Sequence, residues 1–224
     1  VQLQNRYVDG FILASFQFDE KVLKGIEELQ IPFVRIDRAA EFDTDDSIGL
    51  NNFKGASLAV DHLIEVGCRH IAHISGPTSY PPSQERKRGY LDTLASRFPE
   101  QKPIVYEGDF SLESGKLLTE KLFSEHSNVD GIFLANDLMA IGSLKALKLM
   151  GIQVPKEVAL IGFDGIKLTQ MVEPEISTIE QPIHEIGILA TNKLIHKIEG
   201  TNGNQQKELK IHLIKRHSTL GFGK

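Results

Sequence analysis

A phrase of nine residues occurs twice in the chain, as Tyr7-Val-Asp-Gly-Phe-Ile-Leu-Ala-Ser15 and as Asn128-Val-Asp-Gly-Ile-Phe-Leu-Ala-Asn136. Each copy is a short apolar run that ends in a small or polar residue. A helical pattern follows each, then a proline, then a second apolar run closing on an aspartate. The first copy leads through Ile31-Pro32 to Phe33-Val-Arg-Ile-Asp37, the second through Val154-Pro155 to Val158-Ala-Leu-Ile-Gly-Phe-Asp164. A repeat of this kind constrains the fold strongly: it predicts two lobes of one α/β design, an arrangement suited to holding a small molecule between them.

The rest of the chain extends the alternation. Helical periodicity at Val22, Leu23, Ile26 and Leu29 follows a capping Asp19. The acidic loop Glu41–Asp46 reads as a solvated turn, and Ser47–Leu50 as a short strand. A helix carrying Leu58, Ala59, Leu63 and Val66 stops at Gly67. Strands are expected at Ile71–Ser75, Ile104–Tyr106, Val129–Ala135 and Val158–Phe163, with helices from about Gln84 to Arg97, over Leu112–Ser124, and from Asn136 to Gly151. Thr178–Gln181 is a brief extended piece before a helix from Pro182 to Glu199. Gly200–Gln206 is a polar turn, and Leu209–Lys215 a last strand.

Strands alternating with helices predict parallel sheets covered on both faces. The expected class is α/β, with two Rossmann-like lobes. The expected division is residues 1–69 as a first lobe, 70–180 as a second, and 181–224 as a helix and strand returning to the first. Before its copy of the repeat the second lobe has two strand–helix units, whereas the first has only Val1–Arg6. The sequence therefore reads as a piece of a longer protein, with the first lobe incomplete. Ligands of such sheets sit beyond the carboxyl ends of the strands. That directs attention to Ser15, Asp37, Asn51, Ser75–Ser83, Phe110, Asn136 and Asp164.

Composition narrows the partners. With 41% hydrophobic and 25% charged residues the chain is ordinary for a globular protein. Its net charge of −5 lacks the basic footprint of a phosphate-gripping surface. The single cysteine, Cys68, excludes an intrachain disulfide and fits a reducing, cytoplasmic compartment. No apolar run approaches the roughly 18 residues of a membrane span, and no signal-peptide pattern opens the chain. His62, His70 and His73 lack metal-ligand spacing. Gly108-Asp-Phe-Ser111 lacks the glycines and lysine of a phosphate loop, and no nucleophile elbow is present. Neither an enzyme nor a cofactor is expected.

Several motifs occur in a telling order: Asn52-Phe-Lys-Gly-Ala56, His62-Leu-Ile64, Gly67-Cys-Arg-His-Ile-Ala72, Ser75-Gly-Pro77, Arg86-Lys-Arg-Gly-Tyr90, Gly108-Asp-Phe110 and Glu113-Ser-Gly115. They continue with Asn136-Asp-Leu-Met-Ala-Ile-Gly142, Val154-Pro155, Ile161-Gly-Phe-Asp164, Thr178-Ile-Glu-Gln-Pro182 and Arg216-His-Ser-Thr219. The set resembles the lac-repressor/galactose-repressor family of bacterial transcription regulators over essentially the whole chain. The resemblance implies a two-lobed effector domain shaped like a periplasmic sugar-binding protein, here without its helix-turn-helix headpiece. It also implies a homodimer, a sugar or sugar phosphate as effector, and operator DNA bound through the headpiece. Effector binding between the lobes would change dimer geometry and so the spacing of the two headpieces.

By the same resemblance Arg86 is an effector-contacting arginine, whose guanidinium fork can hold two hydroxyls at once; otherwise it belongs to a basic face with Lys87 and Arg88. Asp164 accepts from vicinal hydroxyls or, alternatively, satisfies local turn amides. Asn136 caps a helix or touches the ligand. Gln181 contacts the ligand or bonds to the chain joining the lobes. Phe110 and Tyr80 pack on a sugar's apolar face or on their neighbours, and Asn51 stands where an aspartate is common. Gly165 stands where a second acidic residue is common. Three further readings remain open: a transporter's periplasmic sugar-binding protein, discriminated by a signal peptide; a regulator controlled by a protein corepressor; and an enzyme of flavodoxin-like build, discriminated by substrate screening.

Overall fold

Both copies of the repeated phrase form short strands that pair in parallel with the strand after them. In the computed structural model, which describes residues 8–14, 24–26, 28–39, 47–201 and 209–223, these are β1 (Phe11–Leu13) beside β2 (Phe33–Ala39), and β6 (Gly131–Leu134) beside β7 (Ala159–Asp164). Phe11 faces Phe33 in the first register and Gly131 faces Ala159 in the second. Ser15, Asp19, Val22, Leu23, the acidic loop and most of the polar turn after Gly200 lie outside the described residues, as does the side chain of Asp37.

The chain divides into two compact units, Val1–Leu50 with Pro182–Lys210 and Asn51–Gln181 with Ile211–Lys224. The smaller holds a parallel sheet in the order β1-β2-β3, with β3 at Ser47–Leu50. Leu13, Ile26 and Phe33 form its described core with Phe11 against them. The helix at its carboxyl side, α5 (Ile183–Glu199), donates from Lys193 Nζ to the Ser47 carbonyl at 3.0 Å.

The larger unit is built on a six-stranded sheet, β5-β4-β6-β7-β8-β9. Its remaining elements are α1 (Asn52–Val66), β4 (Ile71–Ser75), α2 (Pro81–Arg97), β5 (Ile104–Glu107), α3 (Leu112–Glu125), α4 (Asp137–Leu149), β8 (Ser177–Glu180) and β9 (His212–Ile214). Five strands run parallel, and β9 closes the edge antiparallel to β8, with Ile179 opposite Leu213. Successive strand residues point to opposite faces, so strands covered on both sides must be apolar throughout. Ala72, Ile74, Ile132, Leu134 and Leu160 pack with Leu122 of α3 and Met139, Leu144 and Leu147 of α4. On the other face Ile71, Phe133, Ile161 and Phe163 pack with Ala59 and Leu63 of α1 and Tyr90 and Leu94 of α2. Removing a fully buried ring such as Phe133 costs about 3–5 kcal/mol on general grounds.

Two boundaries differ from the sequence reading. The stretch 51–69 and the terminal strand belong to the larger unit, not to the first lobe. The physical reason is packing: the apolar stripe of α1 covers the sheet face at Phe133, Ile161 and Phe163, and β9 completes the edge of that sheet. Helix α2 also starts earlier than expected, at Pro81, with Pro82 next. A proline is harmless in a first turn, where the N–H would have no helical partner.

Candidate functional site

The strand order places a switch point in the larger unit. The chain leaves β4 for edge strand β5, then returns past β4 to β6, so the connections diverge between the carboxyl ends of β4 and β6. Ligands of doubly wound sheets bind at such a divergence. Arg86, on the second turn of α2, points there and is buried. Its Nε donates to Asn52 Oδ1 at 2.9 Å and its Nη1 to the Ala135 carbonyl at 2.5 Å. Nη1 also lies 3.4 Å from Asp164 Oδ1, and the guanidinium carbon sits 3.8 Å from the Phe163 ring centre. Charge, fork geometry and ring contact together fix the side chain.

Asp164 ends β7 in a left-handed conformation, φ 112°. Its Oδ1 accepts from Arg86 and from Gln181 Nε2, the latter at 2.6 Å, while the Gln181 backbone N–H donates to the Asp164 carbonyl. Arg86, Asp164 and Gln181 therefore form one polar cluster, with the Asp164 side chain still 27% exposed. Gly165 follows with φ 80°, and a Cβ there would lie 2.9 Å from the Glu180 Cα. Backbone conformation and crowding thus exclude a second acidic residue, which accounts for the glycine.

A second cluster adjoins the first. Asn136 caps α4 by accepting from the Met139 N–H at 2.9 Å, and its Nδ2 donates to the Phe110 carbonyl at 2.9 Å. Cap and contact are therefore joined in one amide. Phe110, at φ 68°, packs edge-on to Tyr80 with ring centres 5.7 Å apart. Gly76 admits this ring: a Cβ there would lie 2.2 Å from Phe110 Cζ. Tyr80 is itself buried at the start of α2. The two clusters meet through Ala135, whose carbonyl holds Arg86 and whose neighbour Asn136 holds Phe110. Asn51 stands apart; its exposed side chain caps α1 by accepting from the Lys54 N–H at 2.8 Å.

Sequence reasoning singled out neither Asn52 nor Asp137 as a site residue. Asn52 is the acceptor that orients Arg86. Asp137, fully buried, accepts from the Gly165 and Ile166 N–H groups at 2.7 and 2.8 Å and from the Thr178 hydroxyl at 2.7 Å. Burial pushes its carboxyl up to about 7, with the Asp164 charge adding to the rise against those hydrogen bonds. Both residues lie beside ones the sequence did select, Asn51 and Asn136; an acidic residue opening a helix at a strand's carboxyl end was the available signal.

A fold of this order, with Arg86, Asp164 and Gln181 gathered beyond the carboxyl ends of β6, β7 and β8 next to the switch point, has the build of an α/β ligand-binding domain. The chain belongs to the periplasmic binding protein-like domain family, whose pattern matches residues 60–219. It is 36% identical over 220 residues to the ribose operon repressor of Halalkalibacterium halodurans, covering 98% of this chain and 65% of that protein. The structure of the transcriptional regulator CelR in complex with cellobiose superposes with a TM-score of 0.88 at 30% identity, over 97% of this chain and 68% of that one. A LacI family transcriptional regulator from Enterococcus faecium with bound ribose gives 0.82 at 28% identity, over 97% and 82%. The chain thus spans about two thirds of the length of the first two of these proteins and about four fifths of the third. Among the described residues no helix is long and apolar enough to cross a membrane.

Proposed function

We propose that this chain is the sugar-sensing effector domain of a LacI-type transcriptional repressor, a binding module without catalytic activity that works in the cytoplasm as a homodimer. In this reading operator DNA is bound by a separate headpiece and the effector alters that binding. The carrying observation is the convergence of Arg86, Asp164 and Gln181 beside the Phe110–Tyr80 pair at the carboxyl ends of five parallel strands. A few convergent polar groups beside aromatic surface suit a polyhydroxylated ligand, whose hydroxyls need directed partners and whose ring carbons need an apolar wall. Arg86 and Asp164 supply donor and acceptor to vicinal hydroxyls, and Gln181 and Asn136 add amides. The relatives that carry repressor names, and the cellobiose and ribose complexes among the neighbours, support the same reading.

Thermal-shift screening of pentoses, hexoses, cellobiose and sugar phosphates tests it. A ligand at a hundred times its Kd stabilises the native state by about 2.7 kcal/mol. For a chain of this length that raises Tm by roughly 5–10 °C. An unchanged Tm with every sugar contradicts the proposal.

A further inference from the structure

The two adjacent residues that open α4 each hold a residue of the proposed site. Asn136 holds Phe110, and Asp137 holds the turn that follows Asp164. Phe110 and Asp164 are the two non-glycine residues of the larger unit, among those described, whose φ is positive. For a residue with a Cβ this backbone region is unfavourable and persists only where surrounding contacts over-determine it. The Asp137 grip is directed at that need. One oxygen, Oδ2, takes two consecutive backbone N–H groups, and Oδ1 takes the Thr178 hydroxyl from neighbouring strand β8. The Gly165 N–H also points to Thr178 Oγ1 at 3.3 Å. The turn is thus tied to both α4 and β8, and Asp164 emerges from it toward Arg86 and Gln181.

A fully buried carboxylate is costly, and an apolar residue would fill the same space without that cost. Its presence where two loop amides converge marks a specific job. We propose that Asp137 is a positioning residue for effector binding, which grips the Gly165 and Ile166 amides and so holds Asp164 in its left-handed conformation against Arg86 and Gln181. This rests on the reading of Arg86 and Asp164 as effector contacts. Asp137 itself touches no ligand; it acts through the turn.

Amide hydrogen exchange followed by NMR tests the grip without any ligand, in the 224-residue chain. Asp137→Ala is expected to speed exchange at Gly165 and Ile166 by roughly a hundredfold or more, while amides of Gly131–Leu134 keep their protection. The Arg86 Nε–H resonance should move in the same variant, because its neighbour Asp164 is released. Asp137→Asn, which keeps an oxygen for the two amides, should restore both signals. With D-ribose as probe, affinity should fall at least about tenfold in Asp137→Ala and return in Asp137→Asn. Unchanged exchange at the two amides in Asp137→Ala, or unchanged D-ribose affinity beside altered exchange, overturns the proposal. Should Asp137→Ala fail to fold, Asp137→Ser, whose hydroxyl is too short to span both amides, takes its place, and unchanged exchange at Gly165 and Ile166 in it overturns the proposal equally. If the wild-type chain binds no sugar, the exchange and Arg86 signals still decide the grip, and it is the sugar reading that fails.

Discussion

Arg86 Nη1 lies 3.4 Å from Asp164 Oδ1 while bonded to the Ala135 carbonyl, so the ends of β6 and β7 are joined through one guanidinium. A lysine cannot reproduce this, because a single ammonium would have to serve Asn52, Ala135 and Asp164 at once. Arg86→Lys should lower stability by about 1–3 kcal/mol, the cost of leaving buried partners unsatisfied. Urea denaturation measures this. A midpoint equal to the wild type would contradict the geometry.

Asn136 combines a helix cap with a grip on Phe110, and substitution separates the two. Serine caps helices as well as asparagine but is too short to reach the Phe110 carbonyl. Asn136→Ser should therefore stay within about 1 kcal/mol of wild-type stability, while the Phe110 and Tyr80 ring resonances shift as their edge-on contact loosens. Unmoved ring signals would show that the Asn136 amide does not place Phe110.

The glycine after Asp164 is required by backbone shape. Gly165→Asp meets both a φ of 80° and the Glu180 backbone, and should cost about 1–3 kcal/mol. Thermal denaturation checks it; a variant as stable as wild type would mean that the turn relaxes freely.

Much of this was legible in the sequence, because apolar periodicity reports directly on burial. The repeat announced two matching strand–helix–strand units, which the structure forms as the parallel pairs β1–β2 and β6–β7, and the strand ends directed attention to Asp164, Asn136 and Phe110. What stayed hidden depends on which partner a polar group chooses. Asn136 reads identically whether it caps a helix, grips Phe110 or awaits a ligand. Asp137 reads as a helix-opening acid until its burial is seen. The domain boundary at Asn51 was likewise obscured, since the stripe of α1 says that it packs on a sheet but not on which one.

Two buried histidines weaken the fold as pH falls. Burial lowers His62 from 6.5 to about 4 and His73 to about 3. Both are neutral in the native state, so their stabilisation is fully present above pH 6.5 and is lost as pH falls, when the unfolded chain takes up protons the folded chain refuses. At pH 5 the loss is about 2 kcal/mol for each histidine. Asp137, raised to about 7, gains stability over the same interval and offsets part of this loss. The histidine's share is therefore read by comparison: between pH 7 and pH 5, His62→Asn is expected to lose about 2 kcal/mol less in urea denaturation than the wild type. Equal losses between the two pH values for wild type and variant would show that His62 does not titrate on unfolding.

In the proposed function, the carboxyl ends of β4 to β8 in the larger unit receive a sugar. Titration of the isotopically labelled chain with D-ribose and with cellobiose, read by NMR, tests it most directly. One of them is expected to bind, with the changes concentrated at the Arg86 side chain and at Phe110, Asn136, Asp164 and Gln181. Binding that leaves these signals still, with the changes elsewhere, would contradict it.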